Sequence, residues 1–262
     1  MKGHRPMPLS TSTLGVHAFN FLGLGYRVDW PLSIVLTAGA LQIYAEIFSF
    51  LIQVKLAVFS LTDLWCSLKD LVQCVNRNHT FEHPESEVSH FNILMKLRHQ
   101  VNHFVCTLQQ YVVSQLSHVS WCRFLHSLHN KVKDMLDLES LHMAYLMDSL
   151  HICFLSDETR HIASKFENVL QCALDFRFCL TGGIGDVGIN QGDLMAKLSR
   201  INISQVLAIK RTFERNLKEL HVCYLKSPKN REFGLSPFWA YLKYNEFYSD
   251  DGNEMTYYAF PV

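Results

Sequence analysis

Apolar residues recur along this chain at steps of three and four, the spacing of one face of an α-helix. The first such stripe runs Leu41, Tyr44, Phe48, Leu51, Val54, Val58, Leu61, Trp65, Leu68, Val72 and Val75. It predicts a long helix ending near Val75, capped by Thr37 and approached by an extended Trp30 that Pro31 restrains. Residues 76–90 are polar and charged, and Pro84 followed by Glu85 and Glu87 suits the positive end of a starting helix. A second stripe follows at Leu94, Leu97, Val101, Phe104, Leu108 and Tyr111, drifting onward through Val112, Leu116 and Val119. This second helix is the natural antiparallel partner of the first.

Shorter elements come next. A helix is expected around Trp121–Val132, another capped by Asp137 and reaching Cys153, and a third started by Ser156, Asp157 and Glu158 and ending near Leu180. Residues 181–192 hold five of the twelve glycines and break the pattern. Asp193 is placed to open a last long helix through Ile201, Val206, Ile209, Phe213, Leu217, Leu220 and Tyr224, with Pro228 as its breaker. No segment alternates with the period of two that a strand requires. The expected fold is therefore all-α, a bundle of long antiparallel helices. Residues 1–14 form a loose tail, 15–250 the helical domain and 251–262 a C-terminal tail. The Pro-, Ser- and Thr-rich start suggests a bundle truncated on its N-terminal side.

Composition narrows the function. The 24 basic and 24 acidic residues cancel, which removes the positive excess that binding a phosphate backbone draws on, so no nucleic acid is expected as a partner. Aromatic residues make up 12% of the chain, more than helix propensity alone asks for, and they belong in a core or an interface. Residues 30–54 could be mistaken for a membrane span, but Pro31, Gly39, Gln42, Glu46 and Gln53 interrupt it and the helical stripe continues past it. A core helix is expected there, without membrane insertion. The eight cysteines, Cys66, Cys74, Cys106, Cys122, Cys153, Cys172, Cys179 and Cys223, lack the spacing of a disulfide framework and read as reduced, buried thiols.

The motifs that suggest chemistry lack the context they need. Residues 183–188 fit a dinucleotide fingerprint in form, but they follow a helix where that fingerprint follows a strand. His99 and His103 are one turn apart without the intervening general base of a metalloprotease. His118, Cys122, His126 and His129 share a helical face with zinc-compatible spacing, and a helical metal enzyme built on them is the minor alternative. No nucleophile stands in an elbow motif, and the carboxylates Asp134, Asp137, Glu139, Glu158, Glu167, Glu214 and Glu219 sit singly on helix starts or polar faces. No catalytic residue, metal ligand or cofactor site is assigned.

The run Tyr26-Arg27-Val28-Asp29-Trp30-Pro31-Leu32-Ser33-Ile34-Val35-Leu36-Thr37 continues with Tyr44, Phe48, Phe50-Leu51 and Val54-Lys55. Farther on stand His103-Phe104, Leu108-Gln109, Tyr111-Val112 and Trp121, then Phe238, Leu242, Tyr244-Asn245 and Phe247-Tyr248. Together these resemble the gamma-tubulin complex component family, from about Gly15 to Ser249. Within it the motifs look most like component five, with components six and four as alternatives. The resemblance implies a helical C-terminal domain that holds gamma-tubulin, while a separate N-terminal domain joins neighbouring components in a ring that templates microtubules. The implied partners are gamma-tubulin and other components. The implied locations are the cytoplasm, the cytoskeleton, the microtubule-organising centre and the spindle pole. The lateral domain and the opening helices of the binding half have no counterpart here, so exposed apolar stripes and marginal solubility are expected. The alternative is a helical interaction fragment that does not hold gamma-tubulin alone. Lys55 and Asn245 are the candidate partner contacts. Tyr26, His103, Phe104 and Tyr111 are motif residues with structural roles, and Trp30 and Pro31 are expected to pack inward and fix the start of the long helix.

Overall fold

The computed structural model describes residues 15–19, 25–77, 85–181, 201–227 and 233–243. Seven α-helices are found there, and no strand occurs among the described residues. They are α1 (Ala38–Arg77), α2 (Glu85–Ser114), α3 (Trp121–Lys131), α4 (Met135–Ile152), α5 (Arg160–Thr181), α6 (Ile203–Lys226) and α7 (Leu235–Leu242). Short 3₁₀ turns cover Val16–Phe19, Leu32–Ile34 and Asp157–Thr159, and a π-helical segment, Gln115–Ser120, joins α2 to α3. The all-α bundle expected from the periodicity is the fold observed.

Side-chain pairs fix the directions of the helices. Lys165 pairs with Glu219, Asn168 donates to the Asn216 side chain at 3.3 Å, and the Cys179 thiol donates to Gln205 at 3.7 Å. As one member climbs α5 the other descends α6, so the two are antiparallel. Arg123–Asp148 and Phe124–Tyr145 make α3 and α4 an antiparallel pair in the same way. α1 lies against α2, α4 and α5. By length and composition its stretch Ala38–Lys69 is apolar enough to cross a membrane, with a mean hydropathy of 1.6. In this fold that stretch lends Val54, Ala57, Leu61, Leu64 and Leu68 to one core that includes residues from all of α1, α2, α4, α5, α6 and α7.

Most helix starts follow their local chemistry. The Thr37 hydroxyl accepts from the Ala40 amide at 3.2 Å, as the sequence predicts. In α4 the cap is Asp134 rather than Asp137. Asp134 Oδ1 accepts from the amides of Leu136 and Asp137, and the Asp137 carboxylate accepts from the Lys133 amide, a reciprocal arrangement like a capping box. An acid at the third helical position reaches back past the cap, which is why Asp137 alone misled. The helix α6 starts at Ile203, where Asn202 accepts from the Gln205 amide. Asp193, the expected start, lies outside the described residues, as do residues 1–14, 183–188, 228 and 244–262.

The phase of two stripes differs from expectation. In α1 the inward positions are Ile47, Phe50, Val54, Ala57, Leu61, Leu64 and Leu68, while Leu41, Tyr44, Phe48, Leu51 and Val58 are half-buried and Trp65 is exposed. Packing on three sides makes small Ala57 and the polar Gln53 and Ser60 inward residues, which counting large apolar residues passes over. The side chains of Val72 and Val75 lie outside the description. The second stripe is as predicted from Leu94 to Tyr111, every member buried. Beyond it the π segment widens the turn, turning Gln115 and Ser120 inward and Val119 out.

Candidate partner-binding surface

The motif residues of α2 and α7 meet in an aromatic core. Phe104 contacts Phe166 at a centroid distance of 5.8 Å, Phe213 at 6.2 Å and Phe238 at 5.6 Å, while Phe154 and Phe166 stack at 4.4 Å. Tyr111 meets Phe238 edge-on at 5.7 Å, and its hydroxyl accepts from the Gly234 amide at 2.9 Å. Gly234 stands at φ 107°, a left-handed conformation that L side chains rarely adopt, and it begins α7 directly beneath that bond. Burial drives the Tyr111 hydroxyl pKa well above its ordinary value. Half-buried His103 is pushed down by burial and by neighbouring His99. Phe104 and Tyr111 thus hold the C-terminal helix on the bundle and touch no outside partner.

The opposite holds before α1. Tyr26 is 68% exposed and Trp30 81%, with Leu32 and Ile34 also at the surface. The expectation that Trp30 packs inward is corrected: the chain turns rather than extends here. Ser33 donates to the Asp29 carbonyl, the Leu32–Ile34 turn follows a cis Trp30–Pro31 peptide, and Val35 alone turns into the core. Where Val35 enters, the imidazole of buried His142 meets the Tyr44 hydroxyl at 3.0 Å, flanked by Phe124. Burial lowers the His142 pKa, and a contact with the Val35 backbone acts against that shift. The Arg27–Asp29 pair is almost fully exposed and contributes little to holding the turn.

Lys55 is exposed midway along α1. Asn245 lies outside the described residues. On the same outward line as Lys55 stand Phe59, Thr62, Cys66 and Lys69, all exposed. Sequence reading missed Phe59 because it is out of phase with the inward stripe. That mismatch was itself the available signal, since a large aromatic opposite the core marks a contact surface.

His118, Cys122, His126 and His129 are all exposed along the π segment and α3. His126 is engaged locally with the Asn130 side-chain amide, which also donates to the His126 carbonyl at 2.9 Å. Among the described residues no three His, Cys, Asp or Glu side chains gather as a metal-holding group. The thiols divide: Cys153 and Cys172 are buried, whereas Cys66, Cys106 and Cys122 are exposed, contrary to the expectation of uniform burial. A helix surface facing solvent accepts a small thiol as readily as a core does.

Comparison with known proteins gives a consistent result. Residues 4–248 match the family described as Gamma tubulin complex component C-terminal. Human gamma-tubulin complex component 6 is 33% identical over 156 residues, 60% of this chain and 8% of the relative. Mouse gamma-tubulin complex component 5 is 28% identical over 184 residues, 66% of this chain and 18% of the relative. Arabidopsis thaliana gamma-tubulin complex component 3 is 27% identical over 169 residues, 62% and 20% respectively. The identity is higher to component 6, one of the alternatives, than to component 5. The chain spans less than a quarter of the length of each of these three relatives.

Proposed function

This chain belongs to the gamma-tubulin complex component family, and from that membership we propose that it is a scaffold subunit of the gamma-tubulin ring complex, holding gamma-tubulin and contributing to microtubule nucleation. The observation that carries this reading is the match to the family's C-terminal domain across residues 4–248. The physical character of the bundle supports it. Binding of this kind works through aromatic anchors and polar rims, and Tyr26, Trp30 and Phe59 are large aromatics held at the surface of a rigid helical core. Lys55 is the proposed cationic contact on α1, and Asn245 the proposed polar contact beyond α7. Other gamma-tubulin complex components are the further partners. The places of work are the cytoplasm, the microtubule-organising centre and the spindle pole.

The test is co-purification of this chain with GTP-loaded gamma-tubulin, beside a chain lengthened N-terminally to the family's full C-terminal domain. Retention by both supports a self-sufficient gamma-tubulin module. Retention by the longer chain alone makes these residues an interaction fragment, the reading that the short overlap with each relative favours. Retention by neither refutes the proposal.

A further inference from the structure

We propose that the outward stripe of α1, from Lys55 to Lys69, docks an amphipathic α-helix of a partner protein whose apolar seam is flanked by carboxylates. Lys55, Phe59, Thr62, Cys66 and Lys69 follow one another at steps of four, three, four and three. That is the spacing of a coiled-coil seam, the line along which one straight helix keeps contact with another. All five side chains are exposed, and Phe59, 65% exposed, is too large an apolar group to be placed in water without consequence. The stripe covers fourteen helical rises, about 21 Å or four turns, enough for a helix to seat along it.

Charge selects the occupant. The whole chain is neutral, yet the stripe carries a lysine at each end and no acid within it. Neither Lys55 nor Lys69 has a hydrogen-bond or ion-pair partner among the described residues. The adjacent acid, Asp63, is engaged by Arg177 of α5 at 2.9 Å. On the other flank Arg98 of α2 lies over the Trp65 ring at 4.8 Å, adding a further cation beside the seam. A helix with acids flanking an apolar seam would pair with the lysines while covering Phe59, whereas a basic helix would be repelled at both ends. The proposal rests on the reading of Lys55 as a partner contact, but it names the class of surface that Lys55 meets and does not require that surface to belong to gamma-tubulin.

The probe is a synthetic 21-residue helical peptide with leucine at the seam positions and glutamate beside them, set against the same peptide with lysine in place of each glutamate. Binding to the 262-residue chain is read by fluorescence anisotropy, and its location by mapping which cysteines the peptide shields from alkylation. The expected result is binding by the glutamate peptide only, weakened by salt, with slowed alkylation at Cys66 and not at Cys106 or Cys122. Phe59→Ser should reduce affinity about tenfold, and the double change Lys55→Glu with Lys69→Glu should invert the peptide preference. All three positions are exposed, so circular dichroism should show these variants folded. Absence of binding, equal binding of both peptides, protection away from Cys66, indifference to Phe59→Ser, or concentration-dependent shielding of Cys66 without peptide would each overturn the proposal, the last by naming a second copy as occupant. Because gamma-tubulin is absent from the assay, a failure here is distinct from a failure of the co-purification.

Discussion

Gly234 gives its backbone N–H to the hydroxyl oxygen of Tyr111, across 123 residues of chain and inside the core. The bond ties the start of α7 to the middle of α2. Tyr111→Phe keeps the ring but leaves that buried amide without an acceptor, a loss of about 1–3 kcal/mol. Denaturant unfolding should show a lower midpoint with an unchanged slope. A midpoint equal to that of the native chain would mean that the bond contributes nothing net.

The Asp134→Ala variant should lower stability by about 1 kcal/mol, because two amides at the start of α4 lose their acceptor. Asp137→Ala removes a single bond, to the Lys133 amide, and should cost less. Thermal unfolding of the two variants checks the order, and a larger loss from Asp137→Ala would reverse the assignment of the cap.

Stability should fall as the solution becomes mildly acidic. His142 and His103 both have folded-state pKa values below the ordinary imidazole value because burial disfavours their charged forms. Between about pH 6.5 and those lower values the unfolded chain holds more protons than the folded one, so stability decreases as pH falls through that window. Above it the contribution is fully present. His142→Gln, which removes the ionisable ring, should flatten the dependence of the unfolding midpoint between about pH 7 and pH 5.5. An equally steep dependence in the variant would place the effect elsewhere.

Alkylation of the native chain should label Cys66 and Cys122 quickly and Cys106 more slowly, since burial raises the Cys106 pKa and reduces its thiolate fraction. Cys172, its pKa pushed up to about 12, and Cys153 should react only after unfolding. Peptide mapping after timed labelling gives the order directly. Early labelling of Cys153 would contradict the packing of Tyr111, Phe154 and Phe166 around it.

The helices were legible because each buries a face, and a buried face imposes a period. Leu94 to Tyr111 illustrates this: α2 is covered on one side by several neighbours, and every large residue counted from the sequence is inside. α1 was less legible because three neighbours widen its buried arc until Ala57 and Ser60 belong to it. Trp30 was misplaced for a different reason. Its exposure depends on a turn closed by the Asp29 carbonyl and on Val35 taking the inward place, and neither leaves a periodic trace. The helix α7 was missed as an element because eight residues give too few turns for a stripe. The aromatic core was half visible, since the motif residues Phe104, Tyr111 and Phe238 were singled out separately, but nothing in the sequence says that they touch. The outward stripe on α1 was hidden by the habit of reading apolar residues as core.

The π segment between α2 and α3 has a consequence for the length of the chain itself. A π turn accommodates one residue more than an α turn, so Gln115–Ser120 acts as an insertion carried inside an otherwise continuous rod. Removing one residue there would not break the rod. It would restore ordinary helix and rotate everything beyond it by about 100°. Trp121 and Phe124 would then swing away from Tyr145 and His142, which they now meet at 5.9 and 6.4 Å, and α4 would lose its aromatic partner. In this stretch a one-residue deletion should therefore do more harm than most substitutions, because what the segment sets is the angular phase between two halves of one helix.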